Sequence, residues 1–228
     1  MSNHSVDIIP TTIPRDRDDL LAAIGLISPF SKKIHIDIDD GLFAPQVSWP
    51  YVGAGMYGSV DITKPSGVLL EAHLMVSEPR TLGIDLAHAG VRSIVGHIEA
   101  CTDFSDAESM LAVWRAAGAH EVGLAILLDT PLRDLDQCIA FCDVVQVMSV
   151  AHIGAQGAPF DQRAVERVRL LHQTYPNITI VVDGGVSIAN IVELAGVGAS
   201  RFAVGSAIMQ AVDPASAYQQ LTAVLGAV

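Results

Sequence analysis

Short apolar runs alternate with amphipathic stretches from one end of the chain to the other. Runs near 6–10, 33–39, 68–75, 93–99, 121–127, 143–150, 177–183 and 200–205 are predicted as strands. Most are apolar throughout, the pattern of strands covered on both faces in a parallel sheet. Between them the spacing predicts helices over 17–27, 79–89, 104–117, 131–142, 161–174 and 187–196, and a last one over 214–226. Thr130-Pro131, Ser187 and Asp213-Pro214 place capping side chains before first turns, and Gly90, Gly118 and Gly198 stand where helices end. The stretch YVGAGMYGSVDITKPSG, between the second and third strands, is glycine-rich and a poor helix. With no linker or low-complexity tract, eight strands alternating with helices predict one (β/α)8 barrel domain over 1–228.

One strand breaks the apolar rule. HIDIDDG, residues 35–41, carries a histidine and three aspartates. Successive strand residues point to opposite faces, so His35, Asp37 and Asp39 share one face. Burying them there is costly unless something compensates. A (β/α)8 barrel builds its active site from the C-terminal ends of its strands. Those ends hold further polar residues: His73 in EAHLMV, His97 and Glu99 in GHIEA, Met148 and Ser149, Asp183 in VVDGG, and Gly205 and Ser206 in AVGSA.

His35, Asp37, His73 and Asp183 can converge from three strands, and two imidazoles with two carboxylates suit a divalent cation such as zinc, manganese, iron or cobalt. A lone strand histidine is more often an ordinary hydrogen-bonded core residue, and it is the four together at matching strand ends that point to a metal. The glycine turns at 183–185 and 205–207 offer backbone N–H groups to a phosphate, or simply make tight turns.

Composition narrows the partners. A formal net charge of −12 argues against nucleic acid or an anionic membrane surface, so an anionic substrate needs a local positive site. Residues 41–60 are uncharged, but two prolines and four glycines break them up, which is not the pattern of a membrane span. MSNHSVDIIP lacks the basic start and apolar run of a secretory signal, and Cys101, Cys138 and Cys142 form no CxxC motif. A reduced, cytoplasmic setting is expected.

IHIDIDDGLFAP, EAHLMV, GHIEA, VVQVMSV, IVVDGGV and AVGSAI occur in an order and spacing that resemble the ribulose-phosphate 3-epimerase family, over roughly residues 7–214. The resemblance implies a barrel with one divalent metal ion, inverting C3 of a phosphorylated sugar. It makes His35, Asp37, His73 and Asp183 the metal ligands and Asp37 and Asp183 the acid–base pair. Thr11 falls where the family has a serine near substrate. Gly184, Gly185, Gly205 and Ser206 match phosphate-binding positions. Met75 and Met148 match site-lining methionines, with core packing as the alternative. The family also implies a homo-oligomer, for which 41–60 is a candidate interface or a lid.

Three departures bear on the substrate. Asp39 stands where the family usually has methionine, and Leu42 where it has histidine. The loop after the sixth strand reads AHIGAQGAPF (151–160) instead of a sequence close to NPGFGGQ. Asp39 is read either as a carboxylate orienting His35 or a neighbouring acid, or as a substrate contact. His152 is a candidate replacement contact from the altered loop, and His97 and Glu99 are candidate supports for the metal ligands. D-Ribulose 5-phosphate is the default substrate. A different ketose phosphate such as a hexulose 6-phosphate, or a binding module without catalysis, is the alternative. A decarboxylase or aldol-type barrel ranks low, because no lysine follows Asp37 in a D-x-K-x-x-D pattern.

Overall fold

The computed structural model describes residues 6–226, so the ends of the expected domain, 1–5 and 227–228, lie outside the described residues. Its elements are β1 (Asp7–Thr12), α1 (Arg17–Ile27), β2 (Lys33–Asp39), β3 (Tyr51–Gly53), β4 (Met56–Tyr57), β5 (Leu69–Met75), α2 (Pro79–His88), β6 (Ser93–His97), α3 (Phe104–Ala116), β7 (Glu121–Ile126), β8 (Val144–Met148), α4 (Arg163–Thr174), β9 (Thr179–Asp183), α5 (Ile191–Gly196), β10 (Arg201–Val204), α6 (Ser206–Met209) and α7 (Pro214–Gly226). Eight strands close into a barrel in the order β1-β10-β9-β8-β7-β6-β5-β2, with every neighbouring pair parallel. All eight coincide with the apolar runs read from the sequence. Among the described residues no helix is long and apolar enough to cross a membrane.

The period-2 alternation sorts each strand. On β2, Ile34, Ile36 and Ile38 join the apolar layer packed between sheet and helices, which leaves His35, Asp37 and Asp39 for the interior face. Trp114 of α3 is the largest fully buried side chain, and its Nε1–H donates to the Arg80 carbonyl at 3.1 Å. It fits because Gly83 of α2 has no Cβ: one built there would lie 2.1 Å from Trp114 Nε1. Truncating such a side chain to alanine costs about 3–5 kcal/mol.

Two expectations are corrected. The helix expected over 131–142 is two short 3-10 turns, Leu132–Leu135 and Ile139–Phe141. The Thr130 hydroxyl expected to cap it donates instead to Glu99 Oε1, and Asp134 and Asp136 in this stretch favour turns over helix. The helix expected from 187 begins only at Ile191. The Ser187 N–H bonds Asn190 Oδ1 at 2.9 Å, which closes a local turn before the helix. The glycine-rich stretch after β2 forms the β3–β4 hairpin, held to α2 by a hydrogen bond from the Tyr57 hydroxyl to Asp85. At Asp213 the expected cap is present, its Oδ1 accepting from the Ser216 N–H at 3.1 Å, and Gly90, Gly118 and Gly198 take positive φ just beyond α2, α3 and α5.

Candidate active site and metal centre

At the C-terminal end of the barrel the strands bring together the four predicted ligands. One ligand atom from each of His35, Asp37, His73 and Asp183 lies within 4.8 Å of the others, and all four residues are buried. His73 Nδ1 is 2.9 Å from Asp37 Oδ1 and 3.2 Å from Asp183 Oδ2. His35 Nε2 is 3.5 Å from Asp37 Oδ1. Both ring nitrogens of His35 are buried with no hydrogen-bond partner. A buried imidazole with two orphan nitrogens, beside two carboxylates and a second imidazole, fits a cation better than it fits a self-sufficient polar core.

Electrostatics support the same reading. Burial disfavours charge on His35, but the nearby Asp37 and Glu71 carboxylates, 3.5 and 3.7 Å from its ring nitrogens, override it and raise the imidazole to about 10. Burial likewise opposes the Asp37 carboxylate, and the two histidines still hold it down at about 2. Without a cation the cluster therefore keeps protons that a cation would displace.

Behind His73 runs a chain of acceptors and donors. His73 Nε2 and His97 Nε2 are 2.9 Å apart, and His97 Nδ1 is 3.0 Å from Glu99 Oε2. Burial works against charge on both His97 and Glu99; the His97 imidazole is held low, while its hydrogen bond keeps Glu99 below the usual carboxylate range. A neutral His97 donating from Nδ1 to Glu99 accepts at Nε2 from the His73 Nε2–H. With Nε2–H engaged by His97, His73 presents Nδ1 to Asp37 and Asp183 and donates the Nδ1 proton to their carboxylates, a proton that a cation would displace. Glu99 is pinned in turn by the Leu127 N–H at 2.8 Å. His97 and Glu99 therefore stand behind His73 in one hydrogen-bonded chain.

One cleft opens onto this cluster. Thr11, Asp37, Met75, Met148, Asp183, Gly184, Gly185, Gly205 and Ser206 all line it. The loop 151–160 crosses its mouth: Gln156 Nε2 donates to the Thr11 carbonyl at 2.9 Å and lies 3.0 Å from where a Cβ on Gly205 would stand. Gly185, at φ 62°, passes so close to Phe160 that a Cβ would lie 2.7 Å from the Phe160 nitrogen.

Two predicted residues fall elsewhere. His152 is exposed and lies outside the cleft lining, because the loop turns Ile153, Gly154 and Gln156 inward instead. Asp39 is fully buried beneath the cleft, and no hydrogen bond joins it to His35. Burial, and then the Asp37 charge, raise its carboxyl to about 7.

Three residues that contact the site escape the sequence reading. Gln146 Nε2 donates to Asp183 Oδ2 at 2.8 Å. Its signal is present: a lone polar residue in VVQVM, on the same face as Met148. Glu71, 3.7 Å from His35 Nδ1, carries the same kind of signal in LLEAHLM. Gln156 carries none, since its partner is 145 positions away.

The comparisons agree with the geometry. The sequence model of the Ribulose-phosphate 3 epimerase family matches residues 10–209. A cytoplasmic isoform of ribulose-phosphate 3-epimerase from Oryza sativa is 29% identical over 91% of this chain and 89% of its own. A ribulose-phosphate 3-epimerase from Aquifex aeolicus is 30% identical over 79% of this chain and 78% of its own. The structure of KGPDC from Streptococcus mutans, at TM-score 0.69, covers 98% of this chain and 99% of its own at 12% identity, a likeness of fold alone. By its family match, its relatives and the arrangement of its strand ends, this chain belongs to the ribulose-phosphate 3-epimerase family.

Proposed function

We propose that the protein is a metal-dependent epimerase that inverts C3 of a ketose phosphate, with D-ribulose 5-phosphate and D-xylulose 5-phosphate as the default pair. The observation that carries this is the placement of Asp37 and Asp183 on β2 and β9, both lining one cleft. Asp37 Oδ1 and Asp183 Oδ2 lean on His73 Nδ1, at 2.9 and 3.2 Å, which leaves Asp37 Oδ2 and Asp183 Oδ1 to handle protons. Inversion requires removal of a proton from one face of C3 and delivery to the other, so two acids facing each other across the substrate are needed. Gln146 holds Asp183 in orientation through Oδ2. The glycine turns at 184–185 and 205–206 offer N–H groups to the phosphate, and Gln156 closes the mouth against water.

A divalent cation held by His35, Asp37, His73 and Asp183 would supply stabilisation of the negative charge that develops on the substrate oxygens. Zinc, manganese, iron and cobalt all suit this donor set.

The test follows the C3 proton by NMR in D2O, in protein loaded with each metal in turn. Exchange with appearance of the C3 epimer is the expected result. Asp39 and the loop 151–160 depart from the family's usual pattern, so a hexulose 6-phosphate is assayed alongside the pentuloses. Tight binding of all of them without exchange would favour a non-catalytic module instead.

A further inference from the structure

The two histidines of the four-residue cluster are completed unequally. His73 engages both ring nitrogens, Nδ1 with Asp37 at 2.9 Å and Nε2 with His97 at 2.9 Å. His35 is buried as deeply, yet neither of its ring nitrogens has a hydrogen-bond partner. Its Nε2 is on the side of the cluster, 3.5 Å from Asp37 Oδ1. Its Nδ1 faces Glu71 Oε2 at 3.7 Å. An imidazole that gives one nitrogen to a cation carries its proton on the other, and a buried N–H needs an acceptor.

Strand register puts Glu71 in place to be that acceptor. His35 and Glu71 are ladder partners across β2 and β5, so their side chains stand side by side on the interior face. The ladder partner on the other flank, Thr11 of β1, turns its hydroxyl to the Ile9 carbonyl at 3.4 Å and leaves Nδ1 to Glu71. Glu71 is itself buried and held in place: its Oε1 is 3.4 Å from Arg201 Nη1, and Arg201 is clamped by two 3.0 Å hydrogen bonds to Glu121. One guanidinium is already balanced by Glu121, so Glu71 brings a second negative charge that Arg201 does not require. The 3.7 Å separation is longer than a hydrogen bond, and a shift of about 0.5 Å closes it.

We infer that Glu71, anchored by Arg201, is a positioning residue for the metal centre: it accepts a hydrogen bond from His35 Nδ1–H and so presents His35 Nε2 to the cation. An anionic acceptor at Nδ1 also makes Nε2 the more basic ligand. This rests on the reading of His35, Asp37, His73 and Asp183 as a cation site.

The experiment uses the full chain, with zinc titrated by calorimetry and isotope-labelled histidine followed by NMR. In the zinc-loaded unaltered chain, His35 is expected to carry its proton on Nδ1 and the metal on Nε2; zinc on Nδ1 overturns the inference. Glu71→Leu should weaken zinc binding by about 10–100-fold, and Glu71→Gln, which keeps an acceptor oxygen, by less. A zinc Kd in Glu71→Leu within about three-fold of the unaltered chain's also overturns it. Combining Arg201→Met, Glu71→Leu and Glu121→Leu in one chain separates positioning from stability, because no charge of that network is left stranded. That chain should regain stability and keep the zinc defect; recovery of both would make Glu71 structural only and overturn the inference. The combined variant also serves if Glu71→Leu alone fails to fold, and the NMR of the unaltered chain needs no variant. Failure of the unaltered chain to bind zinc defeats the cation reading. Solvent exchange of the His35 Nδ1 proton in the metal-free protein then still decides the role of Glu71: it should be slow in the unaltered chain and faster in the combined variant, and equal exchange in the two overturns the inference.

Discussion

Two charged layers lie inside this barrel, and they are completed differently. Toward the N-terminal end of the strands, Arg201 of β10 places both terminal nitrogens 3.0 Å from the carboxylate oxygens of Glu121, and Nη1 3.4 Å from Glu71. Lys33 closes the same end against Asp7 at 2.5 Å. Burial opposes the Arg201 charge, but the two glutamates keep its guanidinium fully protonated. Between the layers sit Val95, Ala125, Val144, Val181 and Ala203. Toward the C-terminal end, His35 keeps two orphan nitrogens and Asp39 two orphan oxygens. The lower layer is complete within the protein, whereas buried polar atoms of the upper one have no partner from the protein itself. Charge inside a barrel is therefore not itself a sign of function; what distinguishes the site is unmet bonding capacity.

The largest expected effect breaks the upper layer alone. Asp183→Asn and Asp37→Asn should each lower C3 exchange by about 10²–10⁴-fold or more, measured by NMR, with a far-UV spectrum like that of the unaltered chain. Gln146→Leu should lower kcat by about 10-fold or more with little change in KM, since one hydrogen bond to a charged group is worth about 1.5–3 kcal/mol. An unchanged kcat would mean that Asp183 needs no anchor.

The layers should separate in stability measurements. Arg201→Met strands Glu71 and Glu121 and should cost about 3–5 kcal/mol in chemical denaturation, as breaking a buried ion pair does. Replacing Glu71 and Glu121 by leucine in the same chain should recover most of that loss, because a closed ion-pair network is exchangeable for apolar packing. Chelation should act on the upper layer. At metal 100-fold above its Kd, removal withdraws about 2.7 kcal/mol, which lowers Tm by roughly 5–11 °C for a domain of this size. The smallest effect belongs outside both layers. Arg15→Ala breaks the exposed pair with Asp19 at 2.9 Å and should change stability by less than about 1 kcal/mol.

Much of this architecture is legible in the amino-acid sequence. Strand positions follow from apolar runs, because parallel strands covered on both faces admit little else. Convergence of His35, Asp37, His73 and Asp183 follows from alternation along a strand and from the rule that barrel sites gather at strand ends. The failures share a cause. At 131–142 the periodicity is helical, yet the Thr130 hydroxyl goes to Glu99, a residue 31 positions away. His152 has the right chemistry in the right loop, but the chain direction there turns it to solvent.

The sequence alone therefore determined the order of the strands' apolar faces, the face on which each ionisable side chain stands, and the residue types at the barrel's rim. All of these depend on spacing along one segment. Only the tertiary structure decided that Gln146 holds Asp183, that Gln156 reaches Thr11, that His97 meets His73 at Nε2, and that Asp39 has no donor from the protein. Hydrogen-bond satisfaction depends on angles and distances to groups brought in from other strands, and no local pattern encodes those.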